Sequence, residues 1–346
     1  VGARRLESGE GNLETYRLSH RARIEACLNG EPVDRPPVAL WRHFPVDDQT
    51  PDSLAAATVA FQQTYDFDLV KVTPASSFCL RDWGVEDEWR GATEGTREYT
   101  RRRIRTAEDW LHLDVLDPYR GHLADQITCL NLICKAIGED TPIIQTIFSP
   151  LAQAKNLAGG QVLLAHLRQF PDAVQTGLQI IAESTRLFIE AAIKTGIAGI
   201  FYAVQHANYH LVSEVEYQDF GERFDRQVLE PVKVCPLNML HLHGENVMFN
   251  KFVDYPIQMI NWHDQDTPPS LADASQRTNM ALCGGLRREK TMVLGTPEQV
   301  LVEAHDSILA VKGKKFILGT GCVLPITVPR VNILAARKSV ELIVGE

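Results

Sequence analysis

The chain has 346 residues, of which 45% are hydrophobic and 23% are charged, values typical of a soluble globular protein. Its net charge of −9 argues against a broad nucleic-acid-binding face. No apolar segment reaches the roughly 20 residues that a membrane span needs, and seven scattered cysteines without a Cys-x-x-Cys pair indicate a reduced, cytoplasmic protein.

Helices and strands alternate along the first half of the sequence. Residues 1–17 are predicted to be a disordered tail or an expression remnant, because they are mostly polar and lack the apolar core of a signal peptide. Ser19 is a good N-cap and Gly30 a good helix end, so they bracket a short helix. The predicted order is helix 20–28, strand 36–41, helix 53–65, strand 68–72, a hairpin excursion at 78–106, helices 107–113 and 123–137, and strand 142–147.

The second half continues this alternation. It is predicted to contain helices 151–157, 161–169 and 171–194, strand 199–204, helix 217–230, strands 234–240 and 257–260, helix 270–282, strand 284–286, helix 297–311, strand 316–318 and helix 331–344. Eight strands alternating with helices favour a closed (β/α)8 TIM barrel, so residues 18–346 are interpreted as a single α/β domain. An open doubly wound sheet is the alternative, but no Gly-rich phosphate loop follows the first strand.

Two histidines stand where the strand at 234–240 becomes a loop. Side chains alternate along a strand, so His241 and His243 point to the same side. Cys322 follows the last predicted strand, and if the two strand ends are neighbours these residues form a nitrogen, nitrogen and sulfur set that suits zinc. Glu245 is a candidate fourth ligand, or a hydrogen-bond partner of an imidazole. The structural alternative is a pair of cleft histidines bonded to their neighbours.

Other polar residues also follow predicted strands, at the end of a barrel where active sites lie. Arg42 is a candidate clamp for a substrate carboxylate, or else a bridge between structural carboxylates. The candidate catalytic residues are Arg42, His206, His263 and Asp264, and the candidate substrate-binding residues are Arg42, Thr73, Gln205 and Trp262. For Trp262 the alternative is packing in the wall of the cleft.

Several short motifs, taken in order and spacing, resemble the uroporphyrinogen decarboxylase superfamily over roughly residues 18–344. They are Asp34-Arg35-Pro36-Pro37-Val38, Phe67-Asp68-Leu69-Val70-Lys71, Ser149-Pro150-Leu151, Ile260-Asn261-Trp262, Cys283-Gly284-Gly285-Leu286 and Gly319-Thr320-Gly321-Cys322. The resemblance implies a distorted (β/α)8 barrel with a deep cleft at the C-terminal ends of the strands. It also makes a homodimer the expected assembly.

The resemblance implies one of two chemistries. True decarboxylases of the superfamily use no metal, and at their aspartate, serine and histidine positions this chain has Thr73, Gln205 and Thr320. The methylcobamide:thiol methyltransferases hold zinc with a His-x-Cys and a Gly-Cys element. The segment from His241 to His243 is similar to the first element, with histidine in place of cysteine, and Gly321-Cys322 is similar to the second.

Three functions are therefore open. The favoured one is a zinc-dependent methyltransferase that moves a methyl group between a methyl donor and a zinc-activated small-molecule acceptor. The donor is a corrinoid, presented by a corrinoid protein, or another methyl donor. The second is a metal-free decarboxylase in which Arg42 holds a carboxylate and His206 or His263 is the general acid. The third is a non-catalytic barrel that binds a corrinoid or a porphyrin.

Overall fold

A computed structural model describes residues 17–341. The strands are β1 (Val70–Val72), β2 (Glu86–Glu88), β3 (Glu98–Arg101), β4 (Ile143–Phe148), β5 (Gly199–Val204), β6 (Met239–Leu242), β7 (Met259–Trp262), β8 (Ala281–Leu286) and β9 (Phe316–Thr320). Seven of them form one parallel sheet in the order β1-β4-β5-β6-β7-β8-β9. The residues of these seven strands are buried, as expected for a parallel sheet covered by helices. The fold is therefore α/β.

Helices connect the strands. They are α1 (His20–Asn29), α2 (Pro51–Tyr65), α3 (Gly121–Ile137), α4 (Pro150–Ala158), α5 (Gly160–Gln169), α6 (Pro171–Ile193), α7 (Glu214–Tyr217), α8 (Arg223–Val228), α9 (Leu271–Ala274), α10 (Pro297–Ala310) and α11 (Arg330–Ser339). The predicted caps of the first helix are confirmed, since the Ser19 side chain accepts from the amide of Ala22 and Gly30 adopts a φ of 72°. Within residues 17–341, no helix combines the length and the apolarity that crossing a membrane requires.

The first predicted strand, 36–41, does not form a regular strand. Pro36 and Pro37 have no amide hydrogen, so the segment cannot build a full ladder. It instead forms isolated parallel bridges, Val38 with Leu318 and Arg42 with Leu324. The carbonyl of Val38 also accepts from the amide of Asp68 at 2.9 Å, just before β1. The segment thus contacts both ends of the seven-stranded sheet, which shows that the sheet is curled.

Three further predictions need correction. The strand predicted at 234–240 begins only at Met239, because residues 231–234 form a 3-10 helix and Pro236 cannot donate to a ladder. The helix predicted at 270–282 is only α9, since the residues from Ala281 onward pair with β7 and β9 instead. The helix predicted at 217–230 is interrupted by a π-helical turn at Gln218–Glu222. The tail at 1–16 and the end of the last predicted helix lie outside the described residues.

The hairpin excursion is confirmed and lies over the C-terminal ends of the strands. β2 and β3 pair antiparallel. The guanidinium of Arg97 bonds the Asp87 carboxylate at 2.9 Å and the Pro45 carbonyl at 2.9 Å, which fixes the hairpin to the segment after residue 42. On the other side, Glu94 forms an ion pair with Arg288, which follows β8. The excursion therefore forms a roof over one end of the sheet.

Candidate metal centre

Four potential metal ligands meet at the C-terminal ends of three strands. His241 and His243 come from the end of β6, His263 follows β7, and Cys322 follows β9; one ligand atom from each lies within 4.8 Å of the others. The Cys322 sulfur is 3.7 Å from Nε2 of His241 and 3.7 Å from Nδ1 of His243. Tetrahedral zinc with bonds of about 2.0–2.3 Å separates nitrogen and sulfur ligands by roughly 3.6 Å. The spacing of these three donors therefore fits one zinc ion.

Gly321 makes this meeting possible. β8 lies between β7 and β9, so Cys322 can approach His263 only if the chain after β9 folds over the end of β7. A Cβ at Gly321 would lie 2.6 Å from the carbonyl oxygen of Trp262 and 2.7 Å from the Cα of His263. Only glycine permits that approach, which explains a glycine directly before the cysteine.

The imidazoles favour a thiolate at Cys322. Burial raises the pKa of the thiol, but attraction to His241 and contact with the neighbouring His243 and His263 rings hold it well below its usual range. Burial lowers the pKa of His241. At His243 burial also acts to lower the pKa, but contact with Cys322 has the larger opposite effect, so the pKa of His243 is raised. Thiolate sulfur and neutral imidazole nitrogen are the donors that zinc prefers. Nε2 of His263 is buried and has no hydrogen-bond partner among residues 17–341, which also suits a group facing an ion.

A cavity of about 280 Å³ opens onto three of the four donors, His241, His243 and Cys322. Its lining is rich in cations: Lys71, Arg97, Arg102 and Lys155 border it, with Glu94 as the single carboxylate.

The Lys71 side chain is the most deeply buried of these four cations. Its Nζ lies 4.5 Å from the centre of the Phe201 ring and 5.9 Å from that of Trp41. Within the described part of the chain it has no ion pair, unlike Arg97 and Glu94. Burial lowers the pKa of Lys71 to about 7. Attraction to the Cys322 thiolate offsets part of the cost of burying this cation, and an acidic group on a ligand would offset more of it.

Some of the residues singled out from the sequence lie at or beside the cavity. Thr73 and Gln205 line it, and Oε1 of Gln205 has no partner within residues 17–341. His206 is buried next to the cluster without lining the cavity. Burial, together with repulsion from Lys155 and His243, lowers the pKa of His206 to about 4. His263, expected to be catalytic, stands with the potential ligands.

Other candidates lie elsewhere. Glu245 is exposed and outside the four-residue cluster, where His263 is the fourth member. Arg42 does not line the cavity; its guanidinium lies over the Phe44 ring at 5.3 Å, because Trp41 and His43, on either side of it, face inward.

The side chains of Trp262 and Asp264 also face away from the cavity, because they alternate along the chain with Asn261 and His263, which face the interior of the sheet. Trp262 is fully buried and donates its indole hydrogen to the Pro269 carbonyl at 3.0 Å. Asp264 accepts from the amide of Gly285 at 3.1 Å and borders a separate groove beside α10.

The sequence reasoning missed Lys71, His43 and Asn261. The alternation of side chains along a strand could have indicated each of them, because each lies two residues from another residue of the site. Lys71, on β1, lies two residues before Thr73, and Asn261, on β7, lies two residues before His263. The two side chains of each pair therefore point to the same side. His43 is two residues after Trp41, and both line the cavity. A charged side chain in a buried strand was itself a signal at Lys71.

Comparison with known proteins identifies the family. The family model described as uroporphyrinogen decarboxylase (URO-D) matches residues 19–342. The chain belongs to the uroporphyrinogen decarboxylase family. The resemblance inferred from the sequence is thereby confirmed.

Similar proteins of this family and of related fold include methyltransferases. Methylcobamide:CoM methyltransferase MtaA of Methanosarcina barkeri (strain Fusaro / DSM 804) is 20% identical over 337 residues, covering 91% of this chain and 95% of that protein. A solved methyltransferase from Methanosarcina mazei has a TM-score of 0.83 at 18% identity, covering 94% of this chain and 99% of its own. A B12-independent methionine synthase from Shewanella sp. W3-18-1, solved with selenomethionine, has a TM-score of 0.53 at 14% identity, covering 89% and 92%. The two structural likenesses show a shared fold.

Proposed function

We propose that this member of the uroporphyrinogen decarboxylase family is a zinc-dependent methyltransferase that moves a methyl group between a corrinoid and a small thiol acceptor. The observation that carries the proposal is the meeting of His241, His243, His263 and Cys322, whose ligand atoms lie within 4.8 Å of one another. The similarity to a methylcobamide:CoM methyltransferase over 91% of the chain supports the same chemistry.

His241, His243 and Cys322 would hold the zinc, because these three donors face the cavity. Bound zinc would supply Lewis acidity, which lowers the pKa of an acceptor thiol and yields a stronger nucleophile at neutral pH. His263 does not line the cavity; its imidazole helps to keep Cys322 ionised. The side of the set that faces the cavity is left for the acceptor.

The acceptor is small and carries a negative charge. The cavity volume of about 280 Å³ is at the lower limit of ligand pockets. Lys71 supplies an ammonium that has no carboxylate partner within residues 17–341, and Lys155 adds a second cation to the same lining. An acidic group on the acceptor would compensate the Lys71 charge and direct the thiol toward Cys322 and its neighbours.

The methyl donor stays at the entrance of the cavity, because a corrinoid macrocycle is too large for a space of this volume. A corrinoid protein that presents its cofactor there would be the partner. We also infer that the segment at 37–42 takes the place of the eighth strand and closes a (β/α)8 barrel within one domain, since it bonds to β9 and to Asp68, two residues before β1.

The test is methyl transfer from methylcobalamin to small thiols of different charge. We expect 2-mercaptoethanesulfonate and 3-mercaptopropionate to be methylated faster than the neutral 2-mercaptoethanol. Chelation should abolish transfer and zinc should restore it. Cys322→Ser should remove both zinc and activity, whereas Cys235→Ser, a buried cysteine far from the cluster in the fold, should keep both. Undiminished transfer by zinc-free protein would overturn the proposal.

A further inference from the structure

Asn261 is held in one orientation beside the candidate metal centre. It is fully buried on β7 and pairs in register with His241 on β6. Its amide nitrogen donates to the carbonyl of Cys283 on β8 at 2.8 Å and to the carbonyl of Thr320 on β9 at 3.0 Å. Carbonyl oxygens only accept hydrogen bonds, so the nitrogen must face β8 and β9 and the amide oxygen must face β6.

That orientation determines which ring nitrogen of His241 carries hydrogen. Oδ1 of Asn261 lies 2.7 Å from Nδ1 of His241. An amide oxygen can only accept, so Nδ1 must donate and Nε2 of the neutral imidazole keeps its lone pair. Nε2 is the atom that lies 3.7 Å from the Cys322 sulfur. The lone pair therefore points into the ligand set, as a metal ligand requires.

The same amide also connects the two halves of the ligand set. Thr320 accepts from Asn261 through its carbonyl, and its hydroxyl donates to the Cys322 carbonyl at 2.6 Å. His241 and the Thr320–Cys322 segment are thus bonded to one buried side chain. Groups that orient a metal-binding imidazole commonly change metal affinity 10- to 100-fold when removed, roughly.

We propose that Asn261 is a positioning residue that selects the metal-binding tautomer of His241 and so sets the zinc affinity of the site. This inference rests on the proposed zinc site. Asn261 is not among the described residues that line the cavity, so it acts only through His241 and Cys322.

The test compares the zinc affinity of three variants with that of the wild type, by competition against a chromophoric chelator. Asn261→Leu has no acceptor for Nδ1 and should bind zinc about 10- to 100-fold more weakly. Asn261→Asp keeps an oxygen toward Nδ1 and should stay within about tenfold of the wild type. Asn332→Leu is the matched control, because the buried Asn332 also donates to two carbonyls, of Met292 and Gly295, away from the cluster. It should lose stability without losing zinc affinity.

Equal zinc affinity of Asn261→Leu and the wild type would overturn the inference, as would a loss of affinity in Asn332→Leu of the same size. If Asn261→Leu does not fold, nitrogen-15 NMR of the histidines in the wild type decides: a hydrogen on Nδ1 of His241 supports the inference and a hydrogen on Nε2 refutes it. Wild-type protein that binds no zinc would refute the proposed function, while the tautomer in the metal-free protein would still test the orientation by Asn261.

Discussion

Replacing Lys71 with methionine should separate binding from stability. Methionine has nearly the same length and keeps contact with the Phe201 and Trp41 rings, but it removes the ammonium that has no ion pair within residues 17–341. If Lys71 exists to hold the acidic group of the acceptor, the variant should bind anionic acceptors more weakly. Because the cost of burying this charge outweighs its attraction to Cys322, the variant should also be more stable than the wild type.

The size of the stability gain follows from the pKa. Burial lowers the pKa of Lys71 from 10.5 to about 7. The unfolded chain therefore binds more protons than the folded chain between pH 7 and 10.5, so the Lys71 contribution makes the protein more stable as the pH rises through that window. At pH 7 the penalty is about 4 kcal/mol. Loss of the contact between the ammonium and the rings offsets about 1 kcal/mol of the gain. The variant should be more stable by about 3 kcal/mol at pH 7, with little difference near pH 10.5.

Two assays check this prediction. Urea denaturation from pH 7 to pH 10.5 should show a stability difference that shrinks with pH. Kinetics with 3-mercaptopropionate should show a kcat/KM lowered by about 10- to 150-fold, which corresponds to a charged hydrogen bond of about 1.5–3 kcal/mol. The control is Lys135→Met, an exposed lysine on α3, which should change neither quantity. A Lys71→Met protein less stable than the wild type at pH 7, or one with an unchanged preference for anionic thiols, would refute the reasoning.

Five other substitutions, at four positions, give distinct expected outcomes. His243→Ala should lose zinc and activity together, whereas His243→Cys and His206→Ala should keep zinc; metal analysis per chain measures all three. Arg42→Ala should leave the KM for the acceptor unchanged, because Arg42 lies outside the cavity, and a lost activity in acceptor kinetics would instead favour the decarboxylase with an Arg42 clamp. Asp225→Ala should lower the free energy of unfolding in urea by about 3 kcal/mol or more, because three buried tyrosine hydroxyls would lose their acceptor.

The sequence predicted the elements whose signals are local. Ser19 and Gly30 determine α1, and the apolar run 199–204 coincides with β5. It also predicted that His241 and His243 point to one side, because side chains alternate along a strand whatever the rest of the fold does. The prediction that Cys322 lies near these histidines depended on the assumption that β6 and β9 end at the same edge of the sheet, which holds for parallel strands.

The misses have non-local causes. Residues 275–282 have helix-compatible composition, but pairing with β7 and β9 draws the residues from Ala281 into β8. Arg42 was assigned to the cleft from its place after an apolar run, whereas the phase of that segment turns Trp41 and His43 inward. Glu245 is close to His243 in sequence, but the fourth member of the His/Cys cluster is His263, which comes from across the sheet.

Zinc K-edge X-ray absorption on the purified wild-type protein tests the central claim most directly. The account predicts one zinc per chain with a single sulfur neighbour at about 2.3 Å and nitrogen neighbours at about 2.0–2.1 Å. The sulfur contribution should vanish in Cys322→Ser. A protein that takes up no zinc, or zinc surrounded by oxygen alone with a spectrum unaffected by Cys322→Ser, would contradict the account.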